Sequence, residues 1–159
     1  MTVYRLAAKA YIDDTSGTGA KLFGGRWNPV GRPCIYTSEH ISLALLEKYV
    51  HAENRENMKR IALLRIELPD DPSQIFHVNT TKMKANWADD IAYSQWLGEQ
   101  ILQDLSVVAF TVPSAIVPSE RNVIVNPFAK SFNLANFQPA TDFTTEFRLL
   151  SKLLAGSTS

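Results

Sequence analysis

A chain of 159 residues, 45% apolar and 20% charged, is long enough to bury one hydrophobic core without staples, and its composition excludes a disordered chain. Basic and acidic residues balance at 16 each, so the broad positive field of a nucleic-acid-binding surface is missing; Cys34 stands alone, which excludes an intramolecular disulfide and a multi-cysteine zinc site. The N-terminal MTVYRLAAKAYIDD lacks an apolar signal region and no later run has the length of a membrane span, so a cytoplasmic protein is expected, with neither membrane nor direct nucleic-acid contact.

In chain order, Val3 to Ala8 reads as a strand, followed by a polar, glycine-bearing loop from Asp13 to Ala20. The turn formers of FGGRWNPVGRP lead into a short strand, Cys34 to Thr37. Ser38 is expected to N-cap a helix over Glu39 to Ala52, whose apolar face is Ile41, Ala44, Leu45 and Tyr49, widened by Leu43, Leu46 and Val50. Arg60 to Leu68 and Ile75 to Val78 read as strands. Trp87 to Leu105 has helical spacing through Ile91, Trp96, Leu97 and Ile101. SVVAFTVP and NVIV are β-branched strands separated by the turn-prone PSAIVPSER. Phe132 to Phe147 can hold one or two extended segments, and Glu146 to Leu154 a terminal helix. The sum is a single α+β domain over residues 1–155, strand-rich with flanking helices, and a flexible tail at 156–159.

Four positions could carry chemistry. In Gly24-Gly25-Arg26-Trp27-Asn28-Pro29 the glycines permit close backbone approach, and Arg26 offers a planar fork of donors suited to a pyrophosphate. An isolated GGR is more often a tight turn with a surface arginine. Tyr36 shares a strand face with Cys34 and can stack on a flat ring or simply fill the core. Glu47 follows the apolar run ISLALL with Leu43 a turn before it, which places a carboxylate either at the core edge or in a cleft. Ser114 ends a buried-looking strand, where sites and turn serines both occur. No G-x-S-x-G elbow, H-E-x-x-H pair or G-x-x-x-x-G-K-[ST] loop is present, which argues against those hydrolase, metalloprotease and nucleotidase classes.

GGRWNPVGRPCIYTSEHISLALLE, followed far downstream by VPSAIVPSERNVIVNP, resembles the RES domain family, and the likeness runs from Tyr4-Arg5 to the terminal segment. The resemblance implies an ADP-ribosyltransferase-like core and a toxin of a toxin–antitoxin pair. That toxin would deplete NAD by breaking the nicotinamide–ribose bond through hydrolysis or phosphorolysis, or would ADP-ribosylate a protein instead. Carried onto this chain, the catalytic residues are Arg26, Glu47 and Ser114, with Ser114 in the VPSA segment preferred over Ser119. NAD, as substrate, would be bound by Arg26, Tyr36, Ser114, Asn122 and Asn126. No metal or other cofactor is implied. The expected partner is an Xre-type helix-turn-helix antitoxin that carries the DNA contact, in a hetero-oligomer or alongside a homo-oligomer.

Overall fold

The computed structural model describes residues 1–52 and 56–143. In chain order the elements are β1 (Thr2–Ala8), α1 (Thr18–Phe23), β2 (Ile35–Ser38), α2 (Ile41–His51), α3 (Glu56–Lys59), β3 (Ile61–Glu67), β4 (Ile75–His77), α4 (Ile91–Leu102), β5 (Ala109–Pro113), β6 (Arg121–Val125), β7 (Asn136–Phe137) and β8 (Thr141–Phe143). Short 3₁₀ turns occupy Thr80–Lys82, Trp87–Asp89 and Phe132–Leu134. The helix expected over Glu146 to Leu154 and the tail at 156–159 lie outside the described residues.

The strands form one mixed sheet in the order β4-β5-β6-β2-β1-β3, with β7 and β8 both pairing to β3 at opposite ends. Only β4 and β5 run parallel, joined through α4; the other pairs are antiparallel. The architecture is the α+β, strand-rich one that the residues led us to expect. Every residue of β5 is buried, as in a strand covered on both faces, which accounts for its unbroken apolar run. One face packs Val3, Ile35, Leu64, Ile66, Val123 and Val125 into the main core. On the other, Tyr36, Phe110, Val112 and Ile124 pack against Trp27 and Leu102. Register fixes what shares that second face: Tyr36 stands opposite Ile124, and Ser38 opposite Asn122.

The structure departs from expectation at three helices. The stretch expected as loop contains α1, a single short helix whose sequence TGAKLF carries no stripe long enough to signal it. Ser38 does not cap α2. It ends β2, the following Glu39 N–H bonds the Arg121 carbonyl, and the helix begins only after His40. Leu43, Ala44 and Tyr49 of α2 are buried as expected, whereas Val50 is 62% exposed.

In the Trp87 to Leu105 stretch, a 3₁₀ turn comes first. Asp90 then caps α4 by accepting the Tyr93 N–H at 3.0 Å. The inward face of α4 is Ser94, Gly98 and Leu102, while Ile91 and Trp96 stay exposed. The cause is a backbone contact: a Cβ at Gly98 would stand 1.7 Å from the Trp27 carbonyl oxygen. Small side chains let α4 lie directly on the loop that follows α1.

A second tie joins the same two segments. Arg32 donates two hydrogen bonds to Glu99, Nε to Oε2 at 2.8 Å and Nη2 to Oε1 at 2.7 Å. The Arg32 bond holds the Glu99 carboxyl below its ordinary pKa, so the pair stabilises the fold above the unfolded-state value and is lost as pH falls through the folded-state one. Thermal melts of wild type and Glu99→Gln from about pH 7 down to about pH 3 should differ by up to about 1 kcal/mol near neutrality and converge at the acid end. A gap that is constant with pH would contradict this assignment.

Candidate functional site

A cavity of about 790 Å³ opens between the α1–β2 loop, α2 and the end of β5, within the size range of ligand sites. Its lining includes Arg5, Gly25, Arg26, Tyr36, Ser38, Glu47, Lys48 and Asn122. Residues far apart in sequence therefore meet at one place: Arg26 from the loop, Tyr36 from β2, Glu47 from α2 and Asn122 from β6.

Glu47 is the most constrained of them. Its Oε1 accepts a hydrogen bond from Ser114 Oγ at 2.8 Å and another from Asn122 Nδ2 at 2.6 Å. The Asn122 amide is itself oriented by Ser38 Oγ, which donates to Asn122 Oδ1 at 2.7 Å. Ser114 Oγ in turn accepts the backbone N–H groups of Ile116 and Val117, at 3.0 and 3.1 Å. One carboxylate oxygen is thus pinned by a fixed network. Among the described residues, Oε2 has His51 Nε2 near it, at 3.9 Å, with the His51 side chain 78% exposed. Ser114 is fully buried and lies behind Glu47, outside the cavity lining, so its reach is to the carboxylate. Its hydroxyl contacts Glu47.

The loop is held from beneath. Asn28 is fully buried, its Nδ2 donating to the carbonyls of Ala20 at 2.8 Å and Arg32 at 2.9 Å. Its Oδ1 accepts from the Tyr36 hydroxyl at 2.6 Å, and that hydroxyl accepts the Trp27 N–H at 3.0 Å. Burial pushes the Tyr36 phenol above its ordinary pKa, so it stays a neutral donor. Gly25 is required here, because a Cβ would come within 2.5 Å of that same hydroxyl oxygen. Arg26 Nη1 donates to the Ala88 carbonyl at 2.7 Å, and its guanidinium sits 5.7 Å from the centroid of the Trp87 ring. Trp87 packs in turn on Trp27, with centroids 5.6 Å apart. The arginine is oriented before any ligand arrives.

The RES domain family model matches residues 2–147. The chain belongs to the RES domain family. Its relatives include Toxin Res of Photorhabdus laumondii, 38% identical over 152 residues that span 94% of this chain and 97% of that protein. Toxin Res of Yersinia enterocolitica is 35% identical over 144 residues, 87% of this chain and 93% of that one. A third relative, the Prs ADP-ribosylating toxin of a Sphingobium species, is 37% identical over 124 residues, 76% and 77% of the two chains. Among solved structures, the M. tuberculosis MbcT–MbcA toxin–antitoxin complex contains a chain of the same fold, with a TM-score of 0.73 at 22% identity, covering 97% of this chain and 88% of that one.

Within this RES domain, Arg26, Tyr36, Glu47, Ser114 and Asn122 fall in one place, and Asn126 does not. Asn126 is buried where β6 ends; its Nδ2 donates to the Leu102 carbonyl at 3.1 Å and its Oδ1 accepts the Phe128 N–H at 3.1 Å. It does not line the cavity, and its side chain is spent on backbone groups. Asn126→Ala leaves those backbone groups unpaired and should cost about 1–3 kcal/mol in denaturant unfolding. Activity per folded molecule should be unchanged; loss of activity at full folding would return Asn126 to the site.

Sequence reasoning missed four contributors: Arg5, Asn28, Ser38 and Lys48. Arg5 and Lys48 belong to no motif of their own in the sequence, and only the topology, with α2 over β1 and β2, brings them to the cavity. The one available signal was the place of Tyr4-Arg5 at the start of the family likeness. Among the described residues no group of three or more His, Cys, Asp or Glu side chains is placed to hold a metal ion, and no helix is long and apolar enough to cross a membrane.

Proposed function

We propose that this RES domain is the toxin of a toxin–antitoxin pair that consumes NAD by cleaving the nicotinamide–ribose bond. The observation that carries the reading is Glu47, which lines a cavity of about 790 Å³ and is fixed through one carboxylate oxygen by Ser114 and Asn122. Most glycosidases need a second carboxylic acid to protonate a poor leaving group. Nicotinamide in NAD is already a cationic pyridinium, so the bond's electron pair moves onto the ring nitrogen and a neutral molecule departs. A single carboxylate is enough to offset the charge that develops on the ribose.

In this reading Glu47 stabilises the oxocarbenium-like ribose or holds one of its hydroxyls. Arg26, oriented by Ala88 and Trp87, holds the diphosphate or neighbouring ribose and so lowers the entropic barrier. The Tyr36 ring faces nicotinamide. Ser114, Asn122 and, through Asn122, Ser38 position the carboxylate. Water or inorganic phosphate completes the reaction at ribose C1.

A second reading, transfer of ADP-ribose to a protein, is supported by the relative named an ADP-ribosylating toxin. The two separate on NAD labelled in the adenine. Turnover with the label recovered wholly in small products supports NAD depletion, and label accumulating on protein supports the transferase. As partner we propose an antitoxin of the Xre helix-turn-helix type that contacts DNA and covers the cavity in the cytoplasm. Support comes from the complex in which the structural neighbour was solved and from the exposed apolar Phe23 and Val50 at the cavity.

A further inference from the structure

We propose that Gln95 is a positioning residue for Arg26, acting through the peptide unit that joins Gly25 to Arg26. Gln95 lies in the second turn of α4, and its Nε2 donates to the Gly25 carbonyl at 2.9 Å. That carbonyl shares a rigid plane with the Arg26 N–H, so the bond fixes the orientation in which the chain enters Arg26. The plane on the other side of Arg26 is fixed as well, because the Trp27 N–H donates to the Tyr36 hydroxyl at 3.0 Å. Two fixed planes define both backbone dihedrals of Arg26, and with them the direction in which its side chain leaves the loop.

The bond answers a need created at position 25. Tyr36 leaves no room for a Cβ there, so the residue must be glycine, which brings the widest backbone freedom of any residue. The Gly25 N–H is held by the Asn28 carbonyl at 3.0 Å, and its carbonyl is held by Gln95. The head of Arg26 is held by the same stretch of chain. Its Nη1 donates to the Ala88 carbonyl at 2.7 Å, and its guanidinium rests against the Trp87 ring, in the turn that leads into α4. Trp87 to Gln95 is therefore a splint against both ends of the arginine. One turn further on, the Glu99 pair with Arg32 and the close approach of Gly98 to Trp27 seat α4 on the loop. Gln95 does not line the cavity, so its influence on a ligand passes through Arg26. The hold on the peptide stands on this geometry alone, and its effect on NAD rests on the function proposed above.

The test uses Gln95→Met, which keeps the length of the side chain and removes the donor, and Gln95→Glu, which keeps the shape and donates only when protonated. The Arg26 amide is followed by NMR relaxation in wild type and Gln95→Met. Exchange broadening or a second Arg26 signal in the variant supports the hold on the peptide, and an unchanged Arg26 amide overturns the proposal. NAD is titrated calorimetrically into Glu47→Gln, so that turnover does not interfere, with Gln95→Met and Arg26→Met added singly and together. Gln95→Met should weaken NAD binding about tenfold when Arg26 is present and less than about twofold when it is replaced. An equal loss in both backgrounds, or no loss, overturns the positioning role. If Gln95→Met does not fold, Gln95→Glu decides. Against the Gly25 carbonyl the introduced carboxyl favours its neutral form, so NAD affinity relative to the Glu47→Gln parent should recover as pH falls from about 7 to about 4.5. Glu99 and Arg32 are present in both proteins and drop out of that ratio. A ratio that stays constant with pH overturns the proposal. A parent that binds no NAD counts against the proposed function, and the Arg26 amide then decides whether Gln95 holds the peptide.

Discussion

Glu47→Gln is expected to lower NAD turnover about a hundredfold or more while the protein stays folded and still binds NAD. Glutamine keeps the shape of the side chain, and its carbonyl oxygen can still accept from Ser114 and Asn122, so the network around Oε1 is retained. What disappears is the negative charge of the carboxylate that lines the cavity. The loss should therefore fall on kcat, with KM little changed, because the charge is needed when the ribose becomes cationic and not when NAD binds. Turnover within a fewfold of wild type would show that the carboxylate charge does no work there, and would remove the central residue of the mechanism.

Gly98→Ala is expected to damage stability and site together. On an exposed helix the change would help by up to about 1 kcal/mol. Here the added Cβ would stand 1.7 Å from the Trp27 carbonyl oxygen and 2.7 Å from its carbon, against backbone that cannot rotate away. Either α4 or the loop must move by more than an ångström. The net cost should be about 2 kcal/mol or more, read from the denaturant midpoint. Because Trp27 follows Arg26 directly, the shift should also lower NAD turnover in the fraction that folds. A midpoint equal to or above wild type would mean that the close approach of α4 to this loop does not exist in solution.

The same contact explains which parts of the fold were legible from the chain. Buried strands announce themselves by apolar content, so β1, β3, β5 and β6 were found within a residue or a few of their ends. α4 was found as a helix, but its packing face was read only in part. Hydrophobic spacing pointed to Ile91, Trp96, Leu97 and Ile101; Leu97 and Ile101 do pack against the core, but Ile91 and Trp96 stay exposed and the buried residues are Ser94, Gly98 and Leu102. Ser38 has the residue type of an N-cap, yet pairing to β6 claims its backbone and Asn122 claims its hydroxyl. Local rules lose when a neighbouring strand offers the same groups a partner.

The site was legible in a different way. From residue types alone, Glu47 was as compatible with the core edge as with a cleft, and Arg26 with a surface turn. The family likeness chose among those alternatives. The geometry adds what no linear pattern holds: that Ser114 reaches Glu47 from behind, that Tyr36 is tied to Asn28, and that Asn126 lies elsewhere. Arg5 and Lys48 could not be placed at the cavity from the sequence, because strand order decides that β1 lies beside β2 and under α2.

The central claim is most directly tested by incubating the purified, partner-free wild-type chain with NAD and resolving nicotinamide from the remaining products by chromatography. The account predicts that nicotinamide appears one for one as NAD disappears. A folded chain that binds NAD and leaves it intact would contradict the account and make this cavity a binding site without catalysis.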